Sequence, residues 1–353
     1  MKDKLTVLLF IITLYIFGIL GILLPDKEIS FSERRKLKTL PKYEIENTYV
    51  TKLDDYLLDQ FPGRDNFRSI KAFFNYNILH ESDNNKIYLK NNYIFKSNYP
   101  TNVDSINNFK KIITNTIEYF PDNNIFFVMI PDKNYYLNDK YFLSIDYDYI
   151  EKSLSNLPVT HIDIKDSLTL EYYYQTDTHW RQEKLSKVIN QLNDKMNLPY
   201  LELMYKENIY DDFYGVYYGE SAIKRESEQL IYLDNNIINS LNVTYLENKN
   251  LHTIYNPDKL DGMDPYDVYL DGASAFIEIE NSAVDTDKEL IVFRDSFGSS
   301  LIPLLTPYYH KITVIDNRYI SSDNYLNMLS IENQDVLFLY STLLINESYA
   351  LKG

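Results

Sequence analysis

The sequence predicts an α/β protein in which helices cover both faces of a mostly parallel sheet. Two stretches, about 105–196 and 289–340, alternate short apolar runs with segments of helical periodicity. Such alternation is typical of parallel sheets, because a helix carries the chain back before the next parallel strand begins. The range of about 200–288 differs, since short alternating segments and glycine-containing turns predict a β-rich insertion.

The first stretch begins with an amphipathic helix over 104–120, which Pro121 ends. A wholly apolar run over 124–130 predicts a buried strand that ends at Pro131. The remaining predicted elements are a helix over 147–156, a strand from Val159 to Ile164, a loop over 176–180 and a helix over about 181–196.

The second stretch contains the other strands of the predicted sheet. Glu289 to Phe293 predicts a strand, and a helix follows from Ser296 to about Leu305. Two further strands are predicted at Lys311 to Ile315 and at Asp335 to Tyr340.

The amino terminus predicts a membrane anchor. Leu5 to Leu24 contains no charged side chain, and about 20 apolar residues match a hydrocarbon core of about 30 Å. No small-residue cleavage pattern follows, so residues 1–25 are interpreted as an uncleaved signal-anchor and 26–48 as a juxtamembrane linker. Lys2 and Lys4 precede the span while six cationic residues follow it, so charge alone favours a cytoplasmic body.

Residues 49–353 are predicted to form the main domain. Its first part, 49–80, has apolar residues at helical spacing that Pro62-Gly63 divides into two helices. A short hairpin is predicted over 87–96, with its turn at Lys90-Asn91-Asn92.

Composition excludes several classes of function. The net charge of -16 argues against nucleic-acid binding, which needs a basic surface. The sequence has no cysteine, which excludes disulfides, a cysteine nucleophile and a thiolate metal site. With five histidines and no HxH or HExxH spacing, a catalytic metal is not expected, and no nucleotide-binding glycine motif is present. No cofactor is predicted.

Ser296 lies in Asp295-Ser296-Phe297-Gly298, directly after a predicted buried strand. The carboxyl ends of strands are where α/β sheets bind ligands, and a helix amino terminus there can stabilise an oxyanion. Ser296 is therefore a candidate nucleophile. The alternative is that Ser296 merely caps the following helix, a common role for serine.

Asp177 and His179 lie two residues apart on the loop over 176–180. A serine nucleophile needs a histidine base, and that base needs a partner that fixes its tautomer. Asp177 can supply this locally by accepting from Nδ1 of His179, which leaves Nε2 for serine. The alternative is a structural loop in which Asp177 or Thr178 caps the next helix and Trp180 packs.

Several segments occur in the order of one known family. These are Ser32-Glu33-Arg34-Arg35-Lys36-Leu37, Asp59-Gln60-Phe61-Pro62-Gly63-Arg64-Asp65, Tyr173-Tyr174-Gln175-Thr176-Asp177-Thr178-His179-Trp180, Tyr214-Gly215-Val216-Tyr217-Tyr218, Asp295-Ser296-Phe297 and Val314-Ile315-Asp316-Asn317-Arg318-Tyr319. Together they resemble the SGNH-hydrolase-like domain of the alginate O-acetyltransferase family, and most closely the membrane-anchored DHHW proteins of Gram-positive bacteria.

The resemblance implies a circularly permuted SGNH fold with Ser296 as nucleophile, His179 as base and Asp177 as orienting acid. It implies oxyanion contacts from the backbone of Ser296 first, Arg318 second and Thr342 third. It further implies an extracytoplasmic domain on a single-pass anchor, an envelope polysaccharide or wall glycan as acceptor, and a membrane-bound O-acyltransferase as partner.

The sequence departs from the family pattern at the oxyanion region. Arg294 replaces the glycine of the usual serine block, and Tyr340-Ser341-Thr342 offers no Asn or acidic residue at the expected place. Two alternatives to catalysis therefore stay open. One is a non-catalytic protein that retains the fold for glycan binding or assembly, and the other is a purely structural anchored protein.

Overall fold

The computed structural model describes residues 2–43, 48–137 and 142–352. Its strands, in chain order, are β1 (Ile29–Ser30), β2 (Arg35–Lys36), β3 (Asp83–Asn84), β4 (Ile87–Lys90), β5 (Tyr93–Lys96), β6 (Ile125–Ile130), β7 (Thr160–His161), β8 (Lys206–Phe213), β9 (Glu228–Asp234), β10 (Asn242–Tyr245), β11 (Phe276–Glu280), β12 (Glu289–Arg294), β13 (Lys311–Ile315) and β14 (Asp335–Ser341).

The α-helices, in chain order, are α1 (Lys2–Leu23), α2 (Thr48–Asp59), α3 (Arg64–Phe73), α4 (Val103–Ile117), α5 (Tyr147–Leu154), α6 (Ser186–Lys195), α7 (Val216–Ser221), α8 (Asn236–Asn239), α9 (Gly298–Leu305), α10 (Ser322–Leu326) and α11 (Thr342–Asn346). Contacts divide the chain into two units. The smaller unit comprises Met1–Leu89 with Val216–Glu226, and the larger comprises Lys90–Gly215 with Ser227–Gly353.

The smaller unit contains the apolar amino-terminal helix. Helix α1 is long and apolar enough to cross a membrane, and none of its residues is buried. Helices α2 and α3 are separated by Pro62-Gly63, as predicted, and a π-helical turn over Phe74–Ile78 continues α3. Glu33 contacts the guanidinium groups of Arg64 at 2.5 Å and Arg68 at 3.3 Å, which attaches the segment after α1 to α3.

The larger unit is built on a seven-stranded sheet with the order β10-β11-β13-β12-β14-β6-β7. Strands β13, β12, β14, β6 and β7 are mutually parallel, while β10 and β11 are antiparallel at one edge. The first strand of this sheet along the chain, β6, pairs with the last, β14. The predicted mostly parallel α/β sheet is confirmed.

The central strands are apolar without interruption because both of their faces are buried. In β12, Leu290 and Val292 enter one hydrophobic core while Ile291 and Phe293 enter the other. Strands β6 and β14 alternate in the same way, so the sheet separates two cores.

Three predictions for single elements need correction. The strand over 159–164 is only Thr160–His161, because the Asp163 carboxylate accepts from the Lys165 backbone N–H and turns the chain. The helix over 181–196 begins as a 3₁₀ turn at Gln182–Lys184 before α6. The helix placed at Ser296 starts at Gly298.

The range of 200–288 is also not wholly separate from the sheet. Its first part forms the antiparallel pair β8–β9, but β10 and β11 extend the central sheet. Strand β11 alternates buried and partly exposed residues, a pattern that suits an edge position as well as a separate β layer. The local periodicity of the sequence does not distinguish an edge strand of the sheet from a strand of a separate layer.

Candidate active site

The turn after β12 presents Ser296 at the carboxyl edge of the sheet. The buried carboxylate of Asp295 accepts from the Phe297 N–H at 3.0 Å and from the Ser341 N–H at 2.8 Å. It therefore fixes the turn and joins it to the end of β14. Gly298 is needed here, since a Cβ would lie 2.8 Å from the Arg294 Cβ.

Ser296 does not cap the helix that follows. Helix α9 has Phe297 at its N-cap position, and no side chain caps it. The Ser296 side chain is instead half-buried, and its hydroxyl lies 2.8 Å from Nε2 of His179. The capping alternative for this serine is wrong.

Asp177, His179 and Ser296 form one hydrogen-bonded chain. The Oδ1 atom of Asp177 accepts from Nδ1 of His179 at 2.6 Å and from the His179 backbone N–H at 3.0 Å. Asp177 is completely buried and His179 nearly so. A buried carboxylate on Nδ1 fixes the tautomer that leaves Nε2 as an acceptor for the serine proton. The arrangement can activate a hydroxyl nucleophile.

The loop that contains Asp177 and His179 does not directly follow a strand of the sheet. It is a tight loop closed by its own backbone, with an isolated bridge between Tyr173 and Trp180. Within it the Tyr174 N–H donates to the His179 carbonyl at 3.1 Å. The position of the base therefore depends on long-range contacts to this loop.

Trp180 connects the loop of His179 to the turn of Ser296. Its indole N–H lies 3.0 Å from both the Phe297 carbonyl oxygen and the Ser300 hydroxyl oxygen. The indole is fully buried. Phe297 follows Ser296 directly. The Trp180 indole therefore links the position of His179 to that of Ser296.

Lys133, which follows β6, fixes the loop from the other side. Its buried Nζ donates to the carbonyl oxygens of Asp177 at 2.6 Å, Tyr174 at 3.1 Å and Gln175 at 3.3 Å. A buried ammonium is costly unless its protons are bonded, and three carbonyls satisfy that need. Lys133 is a positioning residue for the loop.

Thr176 and Gly215 complete the support of the loop. The Glu228 carboxylate accepts from the backbone N–H of Gln175 at 2.8 Å and of Thr176 at 2.7 Å, and from the Thr176 hydroxyl. The Gly215 N–H donates to that hydroxyl oxygen at 2.8 Å. A Cβ on Gly215 would lie 2.3 Å from the Asp177 backbone nitrogen, so only glycine allows this approach.

Tyr266 forms the apolar wall beside the base. Its ring stacks on the His179 imidazole with centroids 3.9 Å apart and planes 6° apart. Its hydroxyl donates to the Ser300 hydroxyl at 2.9 Å, and complete burial raises the pKa of the phenol well above its usual value. Tyr266 is therefore a neutral surface that limits rotation of the imidazole.

Arg318 and Thr342 are bound by other carboxylates. Arg318 donates to Asp316 from Nε at 2.9 Å and from Nη2 at 2.6 Å. Burial opposes the charge of Arg318, but Asp316 outweighs this effect and the pKa of the guanidinium is raised. The Thr342 hydroxyl donates to the buried Asp132 at 2.9 Å. Among the described residues, no hydrogen bond joins Arg318 or Thr342 to Ser296 or His179.

The backbone N–H of Ser296 is available to a ligand. Within the part of the chain that the structure describes, this N–H donates to no acceptor. It belongs to the same turn as the Ser296 hydroxyl, and a donor in that position can stabilise an oxyanion. In the same described part, no group of three His, Asp or Glu residues is arranged to bind a metal ion.

Comparisons with known proteins identify the fold. No protein-family model matches the sequence, and no curated protein matches it. Among solved structures, a DHHW family protein from Eubacterium siraeum is similar with a TM-score of 0.64 and 20% identity over 76% of this chain and 94% of the other. The chain has the fold of this DHHW family protein.

A second solved structure is also similar in fold. Bacillus cereus PatB1 is similar with a TM-score of 0.58 and 17% identity over 74% of this chain and 97% of PatB1. PatB1 has also been solved with a sulfonyl adduct, at a TM-score of 0.54. The aligned part covers nearly all of each of these two proteins. The predicted resemblance in fold is confirmed.

Three residues that position this site were not predicted from the sequence. Lys133 lies two residues after Pro131, at the end of a predicted strand, and that position was the available signal. Glu228 and Tyr266 lie in the range interpreted as an insertion, and no local pattern indicates that they reach the loop of His179.

Proposed function

We propose that the protein is an extracytoplasmic serine acyl-enzyme catalyst that transfers or hydrolyses O-acetyl groups of an envelope polysaccharide or wall glycan. The observation that carries this proposal is the unbroken chain from buried Asp177 through His179 to the half-exposed Ser296 hydroxyl. The resemblance of the sequence to alginate O-acetyltransferases supports an acetyl ester and a polysaccharide acceptor.

In the first half of the reaction, the Ser296 hydroxyl loses its proton to Nε2 of His179 as Oγ bonds to the acetyl carbonyl carbon. The carbonyl electron pair moves to oxygen, which gives a tetrahedral oxyanion. Collapse of the oxyanion breaks the ester C–O bond, and the leaving alcohol takes the proton from His179. Acetyl-Ser296 remains.

In the second half, an acceptor hydroxyl or water gives its proton to His179 and attacks the acetyl carbon. Collapse of the second oxyanion releases Ser296, which recovers the proton. Throughout, Asp177 stays ionised and stabilises the imidazolium. The chemistry needs no cofactor.

For the oxyanion, we assign the Ser296 backbone N–H as the first donor. Arg318 is the second candidate through Nη1, since its Nε and Nη2 atoms bind Asp316. Thr342 is the third candidate through its backbone N–H, because its hydroxyl binds Asp132.

The proposal also covers the organisation of the chain. Residues 1–25 form a membrane anchor, 26–48 a juxtamembrane linker and 49–353 the SGNH-like domain, which lies outside the cytoplasm. A domain of this size translocates largely regardless of flanking charge, so the cationic linker is compatible with that side. A membrane-bound O-acyltransferase would supply the acetyl group.

The test uses the full chain in detergent with two measurements. The first is hydrolysis of a chromogenic acetyl ester, and the second is labelling of Ser296 by a sulfonyl fluoride, read by mass spectrometry. Ser296→Ala and His179→Ala are the test variants, while Ser155→Ala and His310→Ala, both at exposed positions, are the controls. Wild type and controls are expected to react, and the two test variants are not.

Equal background rates in all five proteins would overturn the catalytic proposal. The alternative function, non-catalytic glycan binding on the same fold, predicts a different result. In that case glycan would bind wild type and Ser296→Ala equally, and neither protein would cleave the ester.

A further inference from the structure

The third helix carries an apolar stripe that stays largely exposed in the part of the chain that the structure describes. The stripe consists of Phe67, Ile70, Phe74 and Ile78, spaced three to four residues apart along α3 and its π-helical continuation. Its side chains are between 46% and 62% exposed. Spacing of this kind places all four on one face of the helix.

The opposite face of α3 is packed and polar. Ala72 is completely buried, and Arg68 donates to the Gly219 carbonyl at 2.9 Å and contacts Glu33 at 3.3 Å. These contacts within the smaller unit fix the orientation of α3. The exposure of the apolar stripe is therefore a consequence of the fold. A contiguous apolar patch on a rigid helix usually marks an interaction surface.

Direct contacts connect the stripe to α1. The ring of Phe17 lies 5.5 Å from that of Phe67 and 5.3 Å from that of Phe61, which stacks on it. Phe17 precedes the end of α1 at Leu23 by six residues, or about 9 Å along the helix axis. Phe61 and Phe67 consequently lie beside the apolar part of α1, not beyond its end.

The residues just after α1 are fastened to α2. The Lys27 N–H donates to the Gln60 side chain at 2.9 Å, and the Gln60 amide donates back to the Lys27 carbonyl at 2.9 Å. Tyr56 donates to Asp26 at 3.0 Å. If α1 crosses a bilayer, these bonds place α2 and the start of α3 at its surface.

We propose that the apolar stripe of α3 lies in the surface of the lipid bilayer that α1 spans, as a second point of membrane attachment. An amphipathic helix with one apolar face and cationic residues on its flanks is the structure that inserts at the headgroup boundary. Lys71, exposed on α3, supplies such a charge. The inference rests on the proposed anchor and is independent of the catalytic chemistry.

Lipid is favoured over a protein partner because the apolar stripe of α3 is continuous with the apolar surface of α1. The stripe begins at Phe67, which already contacts the span through Phe17. The surroundings of a membrane span are lipid on every side that protein does not cover, so the same lipid meets the stripe.

The absence of cysteine from the sequence makes a direct test feasible. Single variants Ile70→Cys and Phe74→Cys are labelled with an environment-sensitive fluorophore in the full chain. Leu14→Cys reports on α1, and Ile209→Cys in β8 is the matched control, with 52% exposure against 62% for Ile70. Each protein is reconstituted in vesicles of phosphatidylcholine and phosphatidylglycerol.

For Ile70→Cys and Phe74→Cys, we expect emission at shorter wavelength, quenching by nitroxide-bearing lipid and protection from aqueous iodide. Ile209→Cys should show the reverse pattern. Iodide quenching at Ile70 and Phe74 equal to that at Ile209, with Leu14 in lipid, would overturn the proposal and leave the anchor intact. Protection from both quenchers would also overturn it, because protein would then cover the stripe.

A probe at Leu14 that remains accessible to iodide has a separate meaning. It would show that α1 does not span the bilayer, and the anchor and the surface helix would then both be wrong. None of these outcomes depends on esterase activity, so failure of the catalytic proposal is measured independently. Circular dichroism of each variant checks that it is folded.

Discussion

The buried ammonium of Lys133 donates a 2.6 Å hydrogen bond to the carbonyl oxygen of Asp177, the acid of the candidate triad. Lys133 follows the strand that pairs with β14, while Ser296 follows the strand on the other side of β14. The sheet therefore determines the position of the base loop through a lysine and that of the nucleophile through a turn.

Replacing Lys133 with Met should keep the apolar stem but remove its donors to three loop carbonyls. The carbonyls of Tyr174 and Asp177 would then be buried without this partner, while the Gln175 carbonyl keeps the Ile94 N–H. Unsatisfied buried acceptors cost about 1–3 kcal/mol each, so the free energy of unfolding should fall measurably in a denaturant titration. The rate at which a sulfonyl fluoride labels Ser296 should fall as well, because His179 loses its position. Trp180, the single tryptophan, should report the displaced loop by a change in fluorescence.

The control for this variant is Lys152→Met, at an exposed position of α5. It should leave stability, labelling and fluorescence as in wild type. A Lys133→Met protein that is destabilised but labels at the wild-type rate would show that the lysine acts on folding alone.

Gly215→Ala should disrupt the same loop by crowding. The added methyl would lie 2.3 Å from backbone atoms of Thr176 and Asp177, and backbone cannot yield as a flexible side chain can. Overpacking of this kind costs about 1–3 kcal/mol. Labelling of Ser296 should slow, whereas Gly21→Ala, with no atom within 4 Å of the new methyl, should behave as wild type. Unchanged labelling in Gly215→Ala would contradict the close approach.

Tyr266 variants should separate the effect of the ring from that of the hydroxyl. Tyr266→Phe keeps the stacking on His179 and loses one hydrogen bond to Ser300, a cost of about 1 kcal/mol in stability. Tyr266→Leu removes the planar surface, so Ser296 labelling should fall further than in the Phe variant. Tyr149→Leu, at an exposed position, is the control. Equal labelling rates in the Phe and Leu variants would show that stacking does not orient the imidazole.

Alkaline pH should unfold the protein cooperatively. Burial raises the pKa of several phenols well above 10.0, among them Tyr173, Tyr174, Tyr266, Tyr269 and Tyr340. The folded state binds these protons more tightly than the unfolded state. Stability is therefore complete below the unfolded pKa of about 10 and is lost as pH rises above it, by about 1.4 kcal/mol per pH unit for each phenol.

Denaturant titrations above and below pH 10 measure this loss, and ultraviolet absorbance follows formation of tyrosinate. Exposed phenols should titrate first without unfolding, and the buried ones should ionise together with loss of the native circular dichroism. Complete ionisation of all tyrosines in a protein that retains its native spectrum would contradict the burial of these five side chains.

The central strands and the Asp177–His179 contact were predictable because their signals are local. The apolar run before Ser296 can only be buried on two faces, and the Asp177–His179 spacing lets one side chain reach the other directly. Strands β10 and β11 were not assigned to the sheet. A half-buried strand has the same sequence pattern at the edge of a sheet and in a separate layer.

The surroundings of Arg318 and Thr342 depend on partners far away in sequence. Thr342 meets Asp132 across 210 residues, which no local pattern reveals. Arg318 meets Asp316 only two residues away, but the buried Arg294 on the same carboxylate comes from another strand. Long-range contacts of this kind depend on the fold, so the partners of Arg318 and Thr342 could not be predicted from the sequence alone.

The pairing of β6 with β14 has a consequence for the order in which parts of the site can form. Lys133 emerges from the ribosome more than 200 residues before Ser341, whose N–H binds the Asp295 carboxylate of the nucleophile turn. Until the chain through Ser341 has been made, β6 and β12 lack the strand that lies between them. A chain interrupted before Ser341 therefore lacks the hydrogen bond that joins the turn of Asp295 and Ser296 to the end of β14.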